Sequence, residues 1–140
     1  MSELLRILYV DDEEDIRAIV ELALGMDPNM EVVTAASGDE ALRRISQGGW
    51  TPDLAILDVM MPGMSGMELF EELRLRRDTA SLPVLFITAS ARAAEVERYR
   101  SVGAIGVLSK PFDVIALPSL VREFSETSRA SDRSRPPGEG

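Results

Sequence analysis

Leu54-Ala55-Ile56-Leu57-Asp58-Val59-Met60-Met61-Pro62-Gly63-Met64-Ser65-Gly66 decides how the rest of the chain is read. Four apolar residues in a row mark a short strand buried on both faces, and a strand of that kind belongs to a parallel sheet. A Pro-Gly turn follows. Ser65 with Glu68 three residues on then forms a capping box, and Leu69, Phe70 and Leu73 recur at helical spacing. The same unit repeats outward in both directions. Leu5 to Val10, Glu31 to Ala36, Val84 to Thr88 and Ile105 to Leu108 read as further buried strands. Between the first two, Ile16, Ile19, Val20, Ala23 and Leu24 line one face of a helix that ends near Gly25 and Pro28. Ser37 and Glu40 open the next helix, which buries Ala41, Leu42 and Ile45 before the Gly48-Gly49 break. A fourth, roughly Ala91 to Val102, has only Val96, Tyr99 and Val102 as large apolar positions, which makes it the least firmly anchored. The fifth begins at Pro118, a residue suited to the first helical turn, and runs through Leu120, Val121 and Phe124. Strands and helices alternating in this way imply right-handed βαβ units. The expected class is α/β: a doubly wound, five-stranded parallel sheet with helices on both faces.

Composition narrows the function. The chain has 140 residues, 45% of them hydrophobic and 28% charged, which fits one globular domain. It has no cysteine and no histidine, so disulfides, thiolate nucleophiles, imidazole bases and histidine phosphorylation on this chain are excluded. A net charge of -9 makes direct contact with nucleic acid or an anionic membrane unfavourable. No apolar run approaches a membrane span, and the N-terminus Met1-Ser2-Glu3 is acidic where a secretory signal is basic, so no membrane insertion and a cytoplasmic location are expected. Fourteen of the 15 basic residues are arginine, and Lys110 is the only lysine. From Ser125 to Gly140 no aliphatic residue is larger than Ala130, and the expected boundary places a domain at 1–124 and a disordered polar tail at 125–140. In that tail Glu126, Asp132 and Glu139 balance Arg129, Arg133 and Arg135, so the whole surplus of negative charge lies on residues 1–124.

In a doubly wound sheet the binding site lies at the carboxyl ends of the strands, where strand order reverses. Those ends carry Asp11 and Asp12 after the first strand, Asp58 after the third, Thr88 closing the fourth and Lys110 after the fifth. Three carboxylates brought together repel one another unless a divalent cation that prefers oxygen sits among them, and Mg2+ is the natural choice. Beside such an ion an aspartate can attack a phosphoryl group while a lysine and a hydroxyl hold its oxygens, which makes Asp58 the candidate nucleophile. Each feature alone has a plainer reading. The acids from Asp11 to Asp15 would suit a helix N-terminus, and Glu13, Glu14 and Asp15 are assigned that role. Asp58 could end an ordinary turn, Lys110 could be a surface residue, and Thr88 could be structural. Their joint placement at one end of one sheet is what favours a site.

Leu8-Tyr9-Val10-Asp11-Asp12-Glu13, the run from Leu54 to Gly66, Thr88-Ala89 and Lys110-Pro111-Phe112 together resemble the receiver domain of two-component response regulators, over residues 5 to about 124. The resemblance implies a flavodoxin-like strand order, 2-1-3-4-5. It implies that Asp58 takes a phosphoryl group from a histidine kinase or a histidine-containing phosphotransfer protein. Asp12 and Asp58 would ligate Mg2+, Asp11 would ligate it or hold a bound water, and the Met60 backbone carbonyl would complete the set. Lys110 would pair with the phosphoryl oxygens, Thr88 would move to hydrogen-bond one of them, and the Lys110-Pro111 peptide would be cis. The face of the fourth helix, fifth strand and fifth helix would carry the output to a downstream protein target, with the chain a monomer or a phosphorylation-dependent dimer. Pairing with a kinase would rest on first-helix residues such as Arg17 and Glu21. The family usually has an aromatic residue three before the lysine; here Val107 stands there.

The expectation is therefore a single-domain response regulator that is not an enzyme beyond its own phosphotransfer and autodephosphorylation, and that acts through a conformational switch. Rival readings are a receiver-like docking module that signals without phosphorylation, and an aspartyl-phosphate phosphatase. The phosphatase would need a second aspartate two residues after Asp58, where Met60 stands. A flavodoxin-like cofactor binder fails because five acids occupy the place of its phosphate loop.

Overall fold

All five residues of β3 (Leu54–Asp58) and of β4 (Val84–Thr88) are buried, as an apolar run flanked by helices on both sides requires. In the computed structural model, which describes residues 4–90 and 92–133, these two strands form the middle of a sheet with β1 (Leu5–Val10), β2 (Met30–Ala35) and β5 (Gly106–Ser109). All pairings are parallel and the order is β2-β1-β3-β4-β5. Ile7 aligns with Leu54 and Val10 with Leu57 in one register, and Asp58 aligns with Ile87 in the next. Because successive strand residues face opposite sides, each strand feeds two cores. Leu8, Val10, Leu57 and Phe86 pack on one face beneath the second, third and fourth helices, and Ile7, Tyr9, Ile56 and Ile87 on the other beneath the first and fifth.

Helix α1 (Glu14–Gly25) buries Val20 and Leu24, whereas Ile19, expected on the same stripe, lies at its rim and is half exposed. Helix α2 (Gly38–Gly48) forms only half of its expected capping box. Ser37 accepts from the Glu40 N–H at 3.1 Å, but the Glu40 carboxylate turns to Arg44 at 3.4 Å. Gly49 ends it at φ 61°, a left-handed conformation that glycine adopts without cost. Helix α3 (Gly66–Leu75) has the full box between Ser65 and Glu68. Helix α4 (Ala93–Ser101) has no side-chain cap and buries Tyr99 alone. The expected start of this helix at Ala91 lies outside the described residues.

Helix α5 spans Leu117–Arg133 and corrects the expected boundary at 124. Leu117 and Val121 are wholly buried, and Ser125, the first residue assigned to the tail, is only 8% exposed. Adding residues to a helix that is already anchored needs no new nucleus, so polar residues continue it without large aliphatic side chains. Composition alone reads such an extension as a tail. Residues 134–140 of that tail lie outside the described residues. Arg122 of α5 holds Asp27, just past α1, at 2.7 Å. Among the described residues no helix is long and apolar enough to cross a membrane.

Candidate functional site

The chain turns from β1 out to β2 and then back to β3, so the carboxyl ends of β1 and β3 flank the crevice where strand order reverses. Asp11 and Asp12 leave one end and Asp58 the other. One carboxylate oxygen of each lies within 4.8 Å of the others. Asp11 is fully buried, Asp58 is 4% exposed, and Asp12 is open to solvent. Asp11 Oδ1 accepts the Glu13 N–H at 3.0 Å and its Oδ2 accepts the Tyr9 hydroxyl at 2.9 Å. Asp58 Oδ1 accepts the Met60 N–H at 3.3 Å. The Lys110 ammonium sits among these acids, 3.1 Å from Asp58 Oδ2, 3.2 Å from Asp11 Oδ2 and 3.1 Å from Glu13 Oε1. The Lys110-Pro111 peptide is cis.

Burial pushes the Asp58 carboxyl up to about 6, against the lowering pull of its hydrogen bond from Lys110 and with a further upward push from the Asp11 charge. For Lys110, burial works to lower the ammonium's pKa, but the hydrogen bonds to Asp58 and Glu13 and the neighbouring carboxylate charge outweigh it and raise the group above its ordinary value. The lysine is therefore a fixed positive charge. Burial, followed by the charge and hydrogen bond of Asp11, likewise raises the Tyr9 phenol, which stays a hydrogen-bond donor at any physiological pH.

The donor set suits Mg2+. It is all oxygen, carries three formal negative charges against one lysine, and leaves Asp12 open on the solvent side. Oxygens on opposite sides of a Mg2+ ion stand about 4.2 Å apart, so a 4.8 Å cluster needs only a small rotation or a bridging water to close on one. Asp12, Asp58 and Asp11 are the residues that would hold it.

Of the residues singled out in the sequence, the structure brings Asp11, Asp12, Asp58 and Lys110 together. Thr88 ends β4 beside them and is buried, but its hydroxyl faces its own loop: it donates to the Ser90 carbonyl at 3.1 Å and accepts the Ser90 N–H at 3.2 Å. Met60 is exposed beside Asp58. Val107 is half-buried opposite Phe86 in the β4–β5 register. Glu13 differs from expectation: it occupies the N-cap position of α1 without capping it, and its carboxylate reaches Lys110. Arg17 is tied down as well, donating from Nη1 to the Asp11 carbonyl at 2.9 Å. Tyr9 was missed as a site residue. Its place near the end of β1, two residues before Asp11, is the sequence signal that could have found it.

The chain belongs to the response regulator receiver domain family, which matches residues 7–122. The phosphate regulon transcriptional regulatory protein PhoB of Rhizobium meliloti is 38% identical over 117 residues, a stretch covering 84% of this chain and 50% of that protein. Protein-glutamate methylesterase/protein-glutamine glutaminase 2 of Cereibacter sphaeroides is 34% identical over 93% of this chain and 36% of its own length. The chain thus spans about half or less of the length of these curated relatives. Among solved structures, the Vibrio cholerae chemotaxis protein CheY4 superposes with a TM-score of 0.78 at 32% identity, covering 86% of this chain and 98% of that one. Receiver domains of this family typically bind Mg2+ at an acidic pocket and work with a histidine kinase or phosphotransfer partner, and Asp11, Asp12 and Asp58 form an acidic cluster here.

Proposed function

We propose that Asp58 accepts a phosphoryl group from a histidine kinase or phosphotransfer protein in a Mg2+-dependent reaction, and that the chain passes the signal to a protein partner by a conformational switch. The observation that carries this reading is the sole lysine of the chain bridging Asp58 and Asp11 at 3.1 and 3.2 Å. A carboxylate oxygen of Asp58 attacks phosphorus as the bond to the donor's imidazole nitrogen breaks. The Met60 N–H holds Oδ1 and so orients the nucleophile. Asp12 and Asp58, together with Asp11, would hold Mg2+, which would supply charge neutralisation at the phosphoryl oxygens.

Lys110 has to trade at least one of its present carboxylates for the incoming phosphoryl oxygens. Glu13 is the most exposed of the three and the easiest to give up. Thr88 has to release Ser90 before its hydroxyl can turn inward, which moves the loop that leads into α4. No aromatic ring at position 107 follows it, so α4 and its loop carry the signal. With neither cysteine nor histidine on the chain, the reading assigns it no turnover beyond its own phosphorylation and the hydrolysis that reverses it. The exposed apolar residues Leu22 of α1, Met26 at its C-cap and Ile115, which with Met26 lines one pocket, are assigned to the kinase-facing surface.

Intact mass after incubation with acetyl phosphate, with and without Mg2+, tests the reading on wild type and Asp58→Ala. A Mg2+-dependent gain of one phosphoryl group, lost in the variant, is expected. No gain from either acetyl phosphate or a phosphorylated histidine phosphotransfer protein would turn the reading to a docking module.

A further inference from the structure

Three residues of β1 face the α1 and α5 layer: Leu5, Ile7 and Tyr9. Tyr9 is fully buried in that apolar core, where a phenylalanine would fill nearly the same volume without a polar atom to satisfy. Its hydroxyl has one partner among the described residues, Asp11 Oδ2 at 2.9 Å. Asp11 is fully buried too, and its other oxygen is fixed by the Glu13 N–H. The second contact on Oδ2 is Lys110, the residue that must shift when a phosphoryl group arrives. Tyr9 cannot shift in that way, because its ring is fully buried in the apolar core that also holds Ile7, Ile56 and Ile87.

We infer that Tyr9 is a positioning residue for the cation site: its hydroxyl holds Asp11 in one orientation against Asp12 and Asp58 and so sets the affinity for Mg2+, including after Lys110 has moved. The inference rests on reading the acidic cluster as a Mg2+ site. Hydrogen-bond partners behind a metal's ligands commonly govern affinity as strongly as some of the ligands do.

Mg2+ titration by calorimetry, without phosphodonor, on the full chain and on Tyr9→Phe, Asp11→Asn and the double variant tests this. Tyr9→Phe is expected to weaken Mg2+ binding about 10-fold or more. The same change made in the Asp11→Asn background is expected to add no further loss, because the effect passes through Asp11. In wild type, Mg2+ is also expected to perturb the near-ultraviolet absorption of tyrosine, a signal that needs no variant and that disappears in Tyr9→Phe. Unchanged affinity in Tyr9→Phe, an equal loss in the Asp11→Asn background, or a wild-type tyrosine spectrum indifferent to bound Mg2+ overturns the role of Tyr9 alone. A wild-type chain that takes up no Mg2+ overturns the cation site and this role with it.

Discussion

Helices α3 and α4 both follow strands that end at the acidic cluster, yet one is fixed to it and the other is barely held. α3 starts on a complete capping box and buries Gly66, Leu69, Phe70 and Leu73. Its first residue lies so close to the Asp58 loop that a Cβ on Gly66 would stand 2.3 Å from the Asp58 carbonyl oxygen, and the Gly66 N–H donates to the Val59 carbonyl at 3.0 Å. α4 has Arg92 at its N-cap position, with no side-chain cap, and buries one residue, Tyr99, whose ring lies 5.2 Å from that of Phe86. A 3.4 Å hydrogen bond from Ser90 to Glu95 is its tether to the Thr88 loop. The side of the site that carries Asp58 is held by a full cap and four buried residues, and the side beyond Thr88 by one buried ring. That division is built from ordinary capping and burial, with no special sequence motif.

The largest test of the Asp58 side is Gly66→Ala. Backbone atoms would meet the added methyl, so a loss of about 3 kcal/mol in chemical denaturation is expected, with weaker phosphorylation of Asp58. A loss below about 1 kcal/mol would show that the α3 junction is slack and would remove the contrast with α4.

The caps sharpen the comparison more gently. Ser65→Ala is expected to cost about 1 kcal/mol, because it opens the box on α3. Arg92→Ser is expected to do the reverse. Its backbone, at φ -65° and ψ 148°, is already extended like that of an N-cap residue, so a serine there should stabilise the chain by about 0.5–1 kcal/mol and slow hydrogen exchange across α4. A serine that changes neither stability nor exchange would mean that α4 is held by something other than its ends.

The smallest effect belongs to the opposite layer. The Arg122 hydrogen bond, then the Asn29 N–H, hold the Asp27 carboxyl below its ordinary value of 3.8. A depressed carboxylate adds stability above that value and loses it as pH falls through the lowered one. Thermal melts should therefore show Asp27→Asn slightly less stable than wild type near pH 7, with the two converging in acid and exchange in α4 unaffected. Curves that stay parallel to the lowest pH would show that the ion pair contributes nothing.

The sheet was legible because buried parallel strands are short apolar runs. β1 and β4 have the bounds their runs predict, and β2 and β5 are offset by one residue. The offset at β5 comes where Ile105 already bonds Val84 through its N–H before the strand proper begins. Asp11, Asp12, Asp58 and Lys110 were legible for a related reason: strand ends in this topology converge, so position in the pattern fixes position in space. Glu13 was not, since an acid at a helix start has a sufficient local explanation, and its pairing with a lysine 97 residues away is a tertiary fact. Tyr9 was absorbed by its apolar neighbours, because strand periodicity registers which face a side chain takes and not where a hydroxyl at its tip points. α5 ran beyond its apolar residues because helix continuation depends on what precedes it as well as on what each residue buries.

Lys110 has one more consequence, a practical one. Because it is the only lysine, reductive methylation with isotope-labelled formaldehyde places its labels on this amine and the chain's amino terminus alone, and it preserves the positive charge. One of those labels then lies among Asp11, Glu13 and Asp58. Its chemical shift would follow the exchange of carboxylate for phosphoryl partners directly, which makes the chain a ready-made single-probe sample for nuclear magnetic resonance.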